Sequence, residues 1–136
     1  MSLIFESRHK PSMRIFFKIL SIFYLYGAIV HYANLLGFGE IPFTEEPLSW
    51  QIADIFYAIL DTLTVIGLWL NTRWGIVGFL IGITSQLILY IGFPHWFAFT
   101  PEHLQLLWSM VIFHVVTLSI FFSLLLFAPK AIEEVN

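Results

Sequence analysis

Residues 54–67, DIFYAILDTLTVIG, read as a membrane span that nevertheless carries two aspartates. Asp54 and Asp61 lie seven positions apart, which is two turns of an α-helix, so both carboxylates share one face. A central charge turned toward lipid would cost about 2.5–3.5 kcal/mol on insertion scales. The aspartates must therefore face other helices, while the Ile, Phe, Leu and Val residues around them face lipid. This stretch implies a bundle with an apolar outside and a polar centre.

The rest of the chain supplies the bundle. Of its 136 residues, 59% are hydrophobic and 11% charged, against about 25% charged in soluble domains. The mean hydropathy is +0.86. This leaves no room for a separate extramembrane domain and predicts one all-α domain over 1–136. There is no cysteine, which excludes thiol redox chemistry, disulfides and thiolate metal sites. The apolar run after the basic N-terminus is too long for a signal peptide and lacks a small-residue cleavage site, so it reads as a retained first helix.

A span needs about 20 mostly apolar residues. Four segments qualify, at about 15–36, 50–70, 74–93 and 103–127. The breakers between them are GFGEIPFTEEP (37–47), NTR (71–73) and GFPHWFAFTPE (92–102), and Pro129 ends the fourth. All six basic residues, Arg8, Lys10, Arg14, Lys18, Arg73 and Lys130, fall before span one, between spans two and three, or after span four. The other loops carry Glu40, Glu45, Glu46 and Glu102. The positive-inside rule then predicts an integral membrane four-transmembrane-helix bundle with both termini cytoplasmic, multi-pass in a bacterial inner membrane. Glu45 and Glu46 are expected in a solvated loop. No basic run interleaves with aromatics, so no nucleic-acid partner is expected.

Each span has one polar stripe at helical spacing. Span one gives Tyr24, Gly27, His31 and Asn34. Span two gives Asp54, Tyr57, Asp61 and Thr64. Span three gives Gly75, Gly78, Gly82, Gln86 and Tyr90. Span four gives His103, Met110, His114 and Thr117. By helical rise, Asp61 and His114 both lie about 16 Å from the outer surface, which suggests an Asp61–His114 pair near the midplane. His31 and Asp54 form a second pair nearer the outer face, where Asp54 could alternatively be a solvated residue at the helix start. The polar residues stop at the middle, which predicts a pocket open outward more than a through-channel. Its expected lining is Asp61, His114, Asp54, His31, Tyr57, Gln86, Tyr24 and Asn34. Gly78 and Gly82 form a G-x-x-x-G that favours close packing within the chain over a dimer seam.

LDTLTVIGLWLNTRWGIVGFL (60–80) resembles the second-to-third helix region of the DoxX-like superfamily of small four-helix membrane proteins. The matching positions are the acid Asp61, Gly67 and the basic turn residue Arg73. YGAIVHY (26–32) is similar to the end of that superfamily's first helix, through Gly27 and His31. The superfamily's helix-two acid is usually glutamate, whereas here it is aspartate. The resemblance implies the fold, over about residues 14–128, better than any one activity, because members range from quinone-linked oxidation subunits to assembly helpers.

The residues themselves assign no cofactor. Paired haem ligation by His31 and His114 requires equal depth, and theirs differ by roughly 8–9 Å of helical rise. A metal set from His31, Asp54, His95 and His103 would need loops to converge, and none is assigned. No nucleophile–base–orienter triad or phosphate-binding motif is readable. Three functions remain. The first is a non-catalytic accessory or assembly factor for a membrane-protein partner. The second is a subunit of an oxidoreductase that binds a small apolar quinone-like or lipid-like ligand. The third is a proton-coupled transporter acting as a homo-oligomer. Membrane lipid is the one partner common to all three.

Overall fold

The computed structural model describes residues 2–127. Pro129, Lys130 and the C-terminus, to which the helix stop, the last basic residue and one terminus were assigned, lie outside the described residues. The described residues form five α-helices and no strand: α1 (Ser2–Glu6), α2 (Pro11–Leu35), α3 (Leu48–Trp69), α4 (Arg73–Gly92) and α5 (Pro101–Phe127). The last four are each long and apolar enough to cross a membrane. The short α1, which hydropathy does not reveal, precedes them.

Local chemistry sets the ends of these helices. Leu35 closes α2, and Gly37 follows in the left-handed conformation at φ 80°. Phe38 N–H donates to Ala33 O and Gly37 N–H to Asn34 O, which is a Schellman closure. The same pattern ends α3. Asn71 is left-handed at φ 55°, Thr72 N–H donates to Gly67 O and Asn71 N–H to Leu68 O. Thr72 Oγ1 then accepts from Gly75 N–H and caps α4. The three residues NTR therefore stop one helix and start the next. Thr100 caps α5 through its Oγ1, which accepts from His103 N–H, with Pro101 in the first helical position.

The helices run up and down, and neighbours in sequence are neighbours in space, with α5 closing the ring against α4 and α2. At the closest approach of α3 and α4, a Cβ on Gly75 would strike the backbone of Gly67 and Leu68. Further along α4, Gly78 leaves space that Thr64 Oγ1 occupies, and Gly82 receives the Tyr24 ring. The glycine stripe on α4 thus packs against α3 and α2 of the same chain.

The bundle has two unlike halves. At the end carrying the N-terminus, Met13, Phe17, Leu20, Leu68, Ile76, Phe79, Ile83, Phe121 and Leu125 form a dry core. Cations close this end by bonding backbone carbonyls at or just past the ends of helices. Arg8 donates to Asn71 O, Lys10 Nζ to Leu125 O at 2.8 Å, and Lys18 Nζ to Trp69 O. Positive charge near helix C-termini complements the helix dipoles. The polar residues collect in the opposite half.

Candidate functional site

The polar half is built around Asp54, on the second turn of α3 and only 5% exposed. His31 on α2 places Nδ1 2.6 Å from Asp54 Oδ1, and the Asn34 amide donates to the same oxygen at 3.2 Å. Spacings on both helices explain the convergence. His31 and Asn34 are one turn apart on α2, and α3 packs along that face. The burial of Asp54 displaces the alternative of a solvated helix-start residue.

Asp61, two turns further along α3, is 4% exposed. Its Oδ2 lies 3.8 Å from His31 Nε2 and fills the space left by the missing side chain of Gly27. Its Oδ1 has no hydrogen-bond partner. The ring of His31 stacks on Tyr57 at 5.7 Å between centroids, and the Tyr57 hydroxyl bonds Ser85 Oγ at 2.9 Å. His31 therefore stands between two buried carboxylates, with one ring nitrogen toward each.

The expected Asp61–His114 pair is not formed. His114 Nδ1 bonds Met110 O on its own helix, and Nε2 lies against the side-chain amide of Gln86 on α4. The ring order explains this: α5 closes against α4 and α2, so α3 lies diagonally across from it. Equal depth placed the two residues on one level, but at opposite corners. Tyr24 also turns elsewhere, donating its hydroxyl to Phe79 O at 3.2 Å and packing beside the dry core.

A cavity of about 300 Å³ opens at this end. Its polar lining is His31, Asn34, Asp54, Glu40, Glu46 and His103, and Trp50, Tyr90, Phe97 and Met110 contribute apolar wall. Of the eight lining residues expected from sequence, His31, Asn34 and Asp54 reach it, Tyr57 lines only the next cavity, and Asp61, His114, Gln86 and Tyr24 line neither. Glu46 was expected in solvent but is 6% exposed. The loop turns it inward beside Asp54, and burial together with that neighbouring carboxylate pushes the Glu46 carboxyl up from its ordinary range. His103 Nδ1 accepts from Phe99 N–H, so Nε2–H is free to donate to Glu40 Oε2 at 2.9 Å, tying the 37–47 loop to α5.

A second cavity of about 350 Å³ lies between α3 and α4, lined by Ile52, Phe56, Tyr57, Ile88, Leu89 and Trp96 among others. Ala53 and Phe97 wall both cavities. Among the described residues, no three His, Asp or Glu side chains stand close enough together to share a metal ion.

The model of a family of unknown function, DUF6163, matches residues 12–131. The chain belongs to this family. The matched segment takes in the four long helices, apart from Pro11 at the start of α2, and every residue of both cavities. No curated protein and no solved structure matches the chain. Membership of DUF6163 carries no stated activity and no link to the DoxX-like superfamily.

Proposed function

We propose that this chain is a multi-pass membrane protein that holds one small amphipathic molecule with an uncharged, hydrogen-bonding head. The observation that carries the reading is the adjacency of two cavities of opposite character across Ala53 and Phe97. About 300 Å³ is at the small end for a ligand pocket and suits a head group alone. The tail would lie in the apolar cavity between α3 and α4. Three carboxylates, Glu40, Glu46 and Asp54, line the polar cavity, which disfavours a phosphate or carboxylate head. The Asn34 amide, which spends one N–H on Asp54, and the Glu46 carboxyl, whose Oε2 has no hydrogen-bond partner, offer hydrogen bonds to a carbonyl or hydroxyl. A quinone and a neutral glycerolipid share this chemistry, and either fits a role as the ligand-holding accessory subunit of a membrane partner.

The distribution of basic residues supports a cytoplasmic N-terminal end, with the cavity facing outward. The chain has no cysteine of its own, so single cysteines at Glu45 and Glu6 report sidedness cleanly. An impermeant thiol reagent should reach the first only from outside and the second only from inside, and reversed labelling overturns the orientation.

Ligand binding is tested by thermal unfolding in detergent with a short-tailed benzoquinone or a monoacylglycerol added. A ligand at one hundred times its Kd stabilises by about 2.7 kcal/mol. One probe should raise the melting temperature of the wild type and leave that of Ala53→Phe, which fills the shared wall, unchanged. The probe that works distinguishes a quinone from a lipid head. No shift with either, or equal shifts in wild type and variant, overturns the proposal.

A further inference from the structure

Asp61 is the buried titratable group that ligand binding leaves without a use. It lines neither cavity, it is 4% exposed, and its Oδ1 has no partner. His31 connects it to the polar cavity. Nδ1 is 2.6 Å from Asp54 Oδ1, and Nε2 is 3.8 Å from Asp61 Oδ2. The stacked Tyr57 ring holds the imidazole in the plane that points its two nitrogens at the two acids. An imidazole is the side chain suited to this position, because it can accept a proton on one nitrogen while releasing one from the other.

We propose that His31 relays a proton between Asp54, at the cavity, and Asp61, in the centre of the bundle. Asp61 begins as the acid, and neutral His31 donates its Nδ1–H to the Asp54 carboxylate. The Asp61 proton passes to Nε2 while the Nδ1 proton passes to Asp54 Oδ1. Asp61 is then the carboxylate, Asp54 the acid, and His31 again neutral with its proton on the other nitrogen. The reverse transfer loads Asp61 from the cavity. The 3.8 Å gap exceeds a hydrogen bond, so the transfer requires the Asp61 carboxyl, which holds no hydrogen bond among the described residues, to move toward Nε2.

The surroundings make this a dead-end relay. Tyr24 from α2 and Tyr57 from α3 stand near Asp61, and Tyr90 from α4 lines the cavity with Asp54. Glu46 from the loop faces Asp54, and Glu40 and His103 share its cavity. His114 on α5 is engaged with Met110 and Gln86. Among the described residues, neither aspartate is paired with a lysine or arginine; the ion pairs of both are with His31. One turn beyond Asp61, Thr64 Oγ1 is buried without a partner, and past it lies the dry core. A proton can therefore reach the centre from the cavity side and return the same way. The relay couples the protonation of a buried carboxyl to the state of the cavity.

The proposal uses the cavity as a route to water and depends on no particular ligand. It is tested by infrared spectroscopy of the protein in lipid nanodiscs, with no ligand added. The acid C=O band of Asp61, identified by its loss in Asp61→Asn, is followed after transfer from H₂O to D₂O. The wild type should exchange on the order of a hundredfold faster than His31→Gln and Asp54→Asn, since a positioned proton-transfer group contributes about that much or more. Asp54→Asn keeps an acceptor for Nδ1–H and serves where His31→Gln fails to fold. A folded variant that exchanges at the wild-type rate, or a wild type without an Asp61 acid band at any pH where it stays folded, overturns the relay. Such a result leaves the quinone and monoacylglycerol test unaffected, and failure of that test leaves this one standing.

Discussion

Glu46 is turned in beside Asp54 and is only 6% exposed. It belongs to a proline-flanked loop and precedes α3, so no helical periodicity assigns it a face. Its inward turn follows from the loop path, where Gly39 lies against Asn34 and Glu46. Asp54 and His31 were legible because each sits on a long helix at a depth that rise per residue fixes. Asp61 and His114 were legible in depth but not in azimuth, because helix order around the ring is not written in hydropathy. The raised Glu46 carboxyl gives a test with a definite sign. A carboxyl whose folded-state pKa lies above its unfolded value keeps its proton in the native protein over the window between the two. Stability must therefore fall as pH rises from the ordinary carboxylate value through the raised one. Glu46→Gln should flatten that fall in melting temperature, with the largest gain at neutral pH. A pH slope identical to wild type would show that Glu46 is solvated after all.

For the helices, the sequence located all four long elements to within a few residues, because length, hydropathy and Gly/Pro/Asn punctuation point the same way. It missed α1, whose 5 residues carry too little periodicity to detect. It also recognised the glycine stripe of α4 without the tightest contact, Gly67 against Gly75, which joins two helices and so is not a spacing within one. Among helices in lipid, packing of small residues replaces the hydrophobic drive of water-soluble cores. Gly75→Leu should therefore separate α3 from α4, and overpacking of this kind costs about 1–3 kcal/mol or more. Ile81→Ala, on a half-exposed face of the same helix, should cost much less. Thermal unfolding of the two variants in one detergent provides the comparison, and equal losses would remove the close α3–α4 contact from the account.

In the whole molecule, a dry, phenylalanine-rich half holds the bundle together and a polar half encloses the cavities. The first half explains how so many buried polar groups are tolerated in the second: Asp54, Asp61, Gln86, His114 and Thr117 are all less than a tenth exposed. A polar centre in an apolar medium costs stability unless it is paired, and the orphan atoms of Asp61, Thr64 and Glu46 show a centre that is not optimised for stability alone. The central claim is that the two cavities together hold a small amphipathic molecule. Native mass spectrometry of wild type and Ala53→Phe, purified side by side from the same membranes, tests it most directly. The account predicts a small bound molecule on the wild type that is lost or strongly depleted on Ala53→Phe, with both proteins folded. Equal occupancy of the two proteins, or a wild type that carries nothing, would contradict it.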